Sequence, residues 1–130
     1  CGCIGMRFGV ETFNIDVLKR INKGLERVDF KATIEHLTKK YPDILIRLTL
    51  MKNLPGQSDE IHQEDLRIIK ELGFCDNNPK RTYQIASCVP FPGTKLYNDL
   101  VEKVGEEELT RYSLYDGKSE TIMAKYKDLV

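Results

Sequence analysis

Residues 6–24 read MRFGVETFNIDVLKRINKG. Met6, Phe8 and Val10 alternate with Arg7 and Gly9, the two-residue period of a short buried strand. The period then changes. Val17, Leu18 and Ile21 recur at helical spacing, with Thr12 or Asn14 available as the cap and Gly24 as the left-handed residue past the end. A carboxylate, Glu11, therefore stands at a tight turn where a strand stops and a helix begins. In parallel α/β folds that edge is where ligands bind.

Two further units follow the same plan. Asp29 can cap a helix over 30–41, with Phe30, Ile34, Leu37 and Tyr41 as its apolar stripe and Pro42 as its stop. Residues 44–51, ILIRLTLM, form a near-continuous apolar run, the pattern of a strand covered on both faces. Leu54-Pro55-Gly56-Gln57 is a turn, Ser58 or Asp59 caps the next helix, and Gly73 ends it. That helix carries Ile61, Leu66, Ile68, Ile69 and Leu72. His36, next to the first apolar stripe, reads as a surface or half-buried residue rather than a ligand, and His62, in a first helical turn, as solvated.

Residues 74–81 (FCDNNPKR) read as a polar loop, and 82–89 (TYQIASCV) as a third strand. That strand runs into Pro90-Phe91-Pro92-Gly93, where two amide protons are missing and the strand must stop. Thr94 then caps a helix through Leu96, Leu100, Val101 and Val104 to Gly105. The tail holds an acidic turn over 106–109, an aromatic loop over 112–117, and a last helix capped by Ser119.

Strand–helix alternation demands parallel strands and right-handed crossovers. The fold expected is α/β: a partial (β/α) barrel of three parallel strands with flanking helices over residues 1–105, and a helical tail over 106–130. The first strand would leave an open edge, which invites self-association. The chain begins at Cys1, almost on top of a strand, and reads as a piece of a longer protein.

Twenty basic residues balance twenty acidic ones in 130. That argues against a nucleic-acid or membrane-surface protein, which needs a basic excess. There is no signal peptide and no membrane-length apolar run, so the cytoplasm is expected. Cys1, Cys3, Cys75 and Cys88 do not form a disulfide framework, and Cys1-Gly2-Cys3 offers too few ligands for a closed metal site. Glu11 needs a cationic or hydroxyl partner at the strand end, with Arg20, Lys23 and Lys52 as candidates.

Gly-Val-Glu-Thr followed by Val-Leu-Lys-Arg-Ile-Asn-Lys-Gly, then Leu-Pro-Gly-Gln, then Pro-Phe-Pro-Gly-Thr-Lys-Leu-Tyr, resembles the C-terminal half of a radical S-adenosylmethionine (SAM) domain. The branch most similar holds methylthiotransferases, oxygen-independent coproporphyrinogen oxidases and cobalamin-dependent enzymes. The match runs from Met6 to Gly105; its specificity lies in three motifs in order at successive strand ends. The resemblance implies strands four to six of a (β/α)6 barrel, in an oxidoreductase or transferase that cleaves SAM reductively to a 5′-deoxyadenosyl radical for hydrogen abstraction. It implies that Glu11 binds the ribose or methionine part of SAM and that Lys23 approaches the SAM carboxylate. Thr49 stands where the family often has a ribose-facing Asp, and Val89, Pro90 and Phe91 would line the adenine pocket.

The family holds its 4Fe-4S cluster with a C-x-x-x-C-x-x-C loop, which this sequence lacks. Those ligands are expected upstream, and the segment alone is expected to be inactive. The loop over 112–117 resembles tails of the cobalamin-dependent branch. Two other readings compete: a non-catalytic half-barrel scaffold or interaction module, and a fragment of a (β/α)8 enzyme with a phosphate-bearing ligand. The second predicts a Gly-rich phosphate loop, and no turn here supplies one.

Overall fold

A computed structural model describes residues 2–111 and 122–130. Three strands form one parallel sheet in the order β1-β2-β3: β1 (Gly5–Glu11), β2 (Leu45–Lys52) and β3 (Arg81–Ser87). Between them lie α1 (Ile15–Arg20), α2 (Phe30–Lys40) and α3 (Asp59–Glu71). After β3 come α4 (Lys95–Val104), α5 (Glu106–Leu109) and α6 (Ile122–Tyr126), with a 3-10 turn at Lys127–Leu129. The loop expected over 112–117 and the Ser119 cap lie outside the described residues.

Both crossovers step one strand in the same direction, so right-handed connections put their helices on one face. The burial pattern agrees. Ile46, Leu48 and Leu50 are buried and pack with Val10, Ile34, Ile69 and Phe74. Each such side chain contributes about 1.5–3 kcal/mol relative to an exposed one. The intervening residues Leu45 and Arg47 are exposed and Thr49 is half-buried, so β2 is covered on one face and not on both as its apolar run predicts.

The first strand departs from expectation in the same way. Only Val10 is buried, and Met6 keeps 38% of its surface exposed. β1 pairs only with β2 among the described residues, so nothing covers its outer edge. The register is Arg7↔Arg47, Phe8↔Leu48 and Gly9↔Thr49, after which it slips: Glu11, not Val10, pairs with Leu50. One extra residue at that point re-aims the strand end.

The helix caps follow the sequence closely. Asn14 caps α1, its side chain accepting from Asp16 N–H (3.1 Å) and Val17 N–H (3.0 Å). Asp29 caps α2, Ser58 caps α3 and Thr94 caps α4. The end of α1 differs. Asn22 (φ 52°), not Gly24, is the left-handed residue that closes the helix. Asn22 N–H donates to Lys19 O (3.0 Å) and Lys23 N–H to Leu18 O (3.4 Å), a Schellman pair of bonds. Asparagine tolerates that backbone, and the early stop turns Lys23 back toward β1.

Other expectations are corrected. The stripe of α2 is narrow: Ile34 is buried, Phe30 and Leu37 are half-buried, and Tyr41 is 44% exposed. The loop after α3 is not polar at its ends. Phe74 is core, brought in by the Gly73 turn whose Phe74 N–H donates to Ile69 O (3.1 Å). Arg81 opens β3 and is buried. Its guanidinium donates to the carbonyls of Pro42 (3.2 Å), Lys80 (2.9 Å), Tyr41 and Ile44, which satisfies the α2–β2 loop. His36 is exposed as expected. His62 is half-buried rather than fully solvated, and its Nδ1 is buried without a partner among the described residues.

A second cluster sits at the C-terminal strand ends: Val17, Leu54, Cys88, Tyr97, Leu100, Leu109, Ile122 and Met123. Residues on both sides of Gly105 thus share one core. No helix among the described residues is long and apolar enough to cross a membrane.

Candidate functional site

The site is built at the end of β1. Glu11 has φ 64°, and Thr12 N–H donates to Val10 O at 2.8 Å across it. This is a γ-turn of the positive-φ kind, rare and strained for a residue with a side chain. It turns the Glu11 carboxylate back over Gly9, to meet Lys23 arriving from the end of α1. The Lys23 ammonium donates to Glu11 Oε1 and to the carbonyl of Gly9 (3.0 Å). Both side chains are half-buried.

Gly9 makes this possible. A Cβ at Gly9 would stand 3.0 Å from Glu11 Oε1 and 3.2 Å from Lys23 Nζ. The ion pair therefore occupies the space of the missing side chain, on the uncovered face of the sheet. Parity places Thr49, the register partner of Gly9, on that same face, with Gln84 of β3 beside it in turn. Glu11 and Lys23 meet directly, and Thr49 shares their face of the sheet one strand away.

Of the other two cation candidates, Arg20 lies elsewhere, and only the backbone of Lys52 has a partner among the described residues. The Arg20 side chain lies over Gly56: a Cβ there would come within 3.0 Å of Arg20 Cδ. For Lys52, its carbonyl accepts from Cys88 N–H (2.9 Å), which ties the ends of β2 and β3 together. Asn53 (φ 60°) adds a hydrogen bond to Ser87 Oγ (3.2 Å).

Cys88 is a site neighbour that sequence reasoning missed. Burial pushes its thiol up to about 11, and the Glu11 carboxylate adds to the rise. Val89, Pro90 and Phe91 follow it. Val89 is half-buried, Pro90 is buried, and Phe91 is 64% exposed. The Phe91 carbonyl accepts from Thr94 N–H (3.1 Å) and Oγ1 (2.7 Å), so this segment is held by the start of α4. The exposed Phe91 ring presents apolar surface beyond the strand end.

Asp65 is the other missed residue. It is 1% exposed, in the middle of α3. Its Oδ1 accepts from Phe13 N–H (2.7 Å) and Thr12 Oγ1 (3.1 Å), and its Oδ2 from Thr12 Oγ1 (2.8 Å) and Gln57 Nε2 (3.2 Å). Gln57, also buried, donates to Met51 O (3.1 Å) and accepts from Leu54 N–H (3.2 Å). Burial raises the Asp65 carboxyl above its ordinary value, against these hydrogen bonds, which lower it. A sequence signal existed: Asp65 lies four residues from both Ile61 and Ile69, on the apolar stripe.

Other concavities lie elsewhere. One of about 340 Å³ at the N-terminal strand ends is lined by Arg7, Arg47 and Thr82, away from Glu11. Among the described residues no group of three or more His, Cys, Asp or Glu is placed to hold a metal ion; Cys3 and Cys75 are exposed free thiols.

No family model matches the chain. Among curated proteins it is similar to tRNA-2-methylthio-N(6)-dimethylallyladenosine synthases, 22% identical in Clostridium botulinum (strain Langeland) and 22% in Clostridium novyi, each over 95% of this chain. It is 24% identical over 84% of its length to threonylcarbamoyladenosine tRNA methylthiotransferase MtaB of Chlamydia pneumoniae. The chain spans 29% of the length of each of these relatives. The similarity supports a radical SAM-type relationship at this coarse level.

Proposed function

We propose that this chain is the SAM-holding, C-terminal half of a (β/α)6 radical SAM barrel, part of a longer oxidoreductase or transferase of the methylthiotransferase kind. The observation that carries the reading is the Lys23–Glu11 pair folded over Gly9 at a strand end. SAM is zwitterionic at its methionine end, carries two ribose hydroxyls, and has a flat adenine. The donor set fits it. Lys23 supplies a cation for the carboxylate, Glu11 an acceptor for ammonium or hydroxyl, and Thr49 a neutral hydroxyl where charge is not needed. Val89, Pro90 and Phe91 supply apolar surface and backbone groups for the base.

When bound with its cluster, SAM supplies a radical for hydrogen abstraction. This chain's own residues bind and orient the molecule. Glu11 and Lys23 neutralise each other until SAM arrives, so neither waits as a lone desolvated charge. The described residues do not fit a 4Fe-4S cluster, and its ligands are assigned to other parts of the protein. Cobalamin has no supporting residue among those described.

Residues 1–105 are proposed as the half-barrel and 106–130 as a helical tail that caps its C-terminal end. The protein acts in the cytoplasm on a substrate that this segment does not select; the relatives' names point to tRNA, and with balanced charge this segment is not its docking surface. The bare edge of β1 would meet the next strand of the barrel, or in its absence a second copy.

The test is a thermal-shift series on the protein expressed from its whole reading frame, with SAM, adenosine and inorganic phosphate. SAM should raise the midpoint most, and Glu11→Ala should abolish the rise. Equal protection by phosphate would favour the phosphate-ligand reading, and no protection at all the non-catalytic scaffold.

A further inference from the structure

We infer that Asp65 is a positioning residue for the Glu11–Lys23 site, holding in register both strand-end turns that frame it. The first turn is the γ-turn at Glu11. Its positive φ is unfavourable for glutamate, so something must over-determine it. The two residues that follow it are fixed by one carboxylate: Asp65 receives Phe13 N–H at 2.7 Å and the Thr12 hydroxyl at 2.8 Å. Thr12 is fully buried, and its hydroxyl also accepts from Asn14 N–H (3.1 Å), the residue that caps α1. One chain of bonds therefore sets the γ-turn and the start of the helix whose end delivers Lys23.

The second turn is Leu54-Pro55-Gly56-Gln57. Asp65 receives Gln57 Nε2, and Gln57 in turn grips Met51 O and Leu54 N–H at the end of β2. Gly56 from the same turn lies under the Arg20 side chain of α1. Asp65 makes no contact with Glu11 or Lys23, so its effect on them is through backbone placement.

The chemistry requires two oxygens, which asparagine lacks. Each hydrogen-bond partner of Asp65 is a donor: a hydroxyl, an amide and a side-chain amide. Both oxygens must accept. Asparagine in this place would aim its NH2 group at another donor on one side or the other. A buried network that is partly satisfied loses its geometry first.

The test uses the whole protein, with Lys23 followed by NMR through its 13Cε signal. Glu11→Gln provides the reference position for a broken pair. Asp65→Asn and Thr12→Val should each move the Lys23 signal at least half of the way to that reference. Thr12→Ser, which keeps the hydroxyl, should leave it in place. Ile34→Val, a core change on α2 that removes no hydrogen bond of either turn, should lower the melting point and leave Lys23 unmoved. If Asp65→Asn does not fold, the Thr12→Val and Thr12→Ser pair decides. The inference is overturned if Lys23 stays at its wild-type position in Asp65→Asn or Thr12→Val, or if Ile34→Val moves it equally.

A second readout rests on the SAM-binding reading. Asp65→Asn should raise the SAM Kd about tenfold, equivalent to about 1.4 kcal/mol. Wild-type protein that binds no SAM, with Lys23 responding as described, would sink that reading and leave the positioning role standing.

Discussion

Lys23 and Glu11 meet in the space that a side chain at residue 9 would fill. The lysine ammonium bonds the glutamate carboxylate and the Gly9 carbonyl together, and the hypothetical Gly9 Cβ lies within 3.2 Å of both charged groups. A missing Cβ, a left-handed glutamate and an early helix stop at Asn22 each contribute one element of this arrangement.

Gly9→Ala should separate stability from binding. Gly9 does not use positive φ, and the atoms its Cβ would meet are the ends of two flexible side chains, which can swing away. Removing the glycine's unfolded-state freedom stabilises by up to about 1 kcal/mol. The expected result is an unchanged or slightly raised melting point, with SAM affinity at least tenfold weaker. Calorimetric melting and SAM titration on the same sample check it.

Glu11→Gly should be more stable than Glu11→Ala. Both lose the pair with Lys23. Only alanine keeps a Cβ in the left-handed γ-turn (φ 64°), a burden of about 1 kcal/mol. Denaturant unfolding of the two variants should differ by that amount, in glycine's favour.

How far the sequence discloses this site depends on the residue. Glu11 is legible because strand period gives way to helix period around it. The Thr94 cap is legible, and Asn14 and Ser58 each as one of two candidates, because their hydrogen bonds are local. Asp65 is not, since a buried carboxylate on an apolar stripe reads as a gap in the stripe until its three donors are placed by other elements. Arg81 hides for the same reason, as its four carbonyl partners lie in the α2–β2 loop and beside it. The one-sided burial of β2 is also invisible locally, because a Leu-Ile-x-Leu-x-Leu run looks the same whether one face or two are covered.

Asp65 should give stability a pH dependence opposite to that of the surface carboxylates. Its folded pKa is raised, mainly by burial. Its contribution is therefore complete below the unfolded value and declines as pH rises through the folded value. Exposed Asp43 and Glu64 are lowered by hydrogen bonds to Lys80 and Arg67, so they lose stability as pH falls, but in a solvent-screened setting. The difference in unfolding free energy between wild type and Asp65→Asn should accordingly shift toward the variant as pH rises from the acid side. Urea titrations across that range check the sign.

Cys88 should resist alkylation while Cys3 and Cys75 react. Its thiol is buried and pushed up to about 11, so almost no thiolate exists near neutral pH. Iodoacetamide at pH 8 with peptide mass spectrometry should label Cys3 and Cys75 first, and Cys88 only after unfolding. Glu11→Gln, which removes a negative charge near the thiol, should lower the Cys88 pKa.

A Glu11–Lys23 pair that holds SAM should reveal itself in isothermal titration of SAM into the whole protein. Wild type should show saturable one-site binding. Lys23→Met and Glu11→Ala should each weaken it at least tenfold, while Arg20→Met, whose side chain lies over Gly56, should leave it within about twofold. Absence of saturable binding in the wild type, or equal affinity in Lys23→Met, would mean that the pair does not hold SAM.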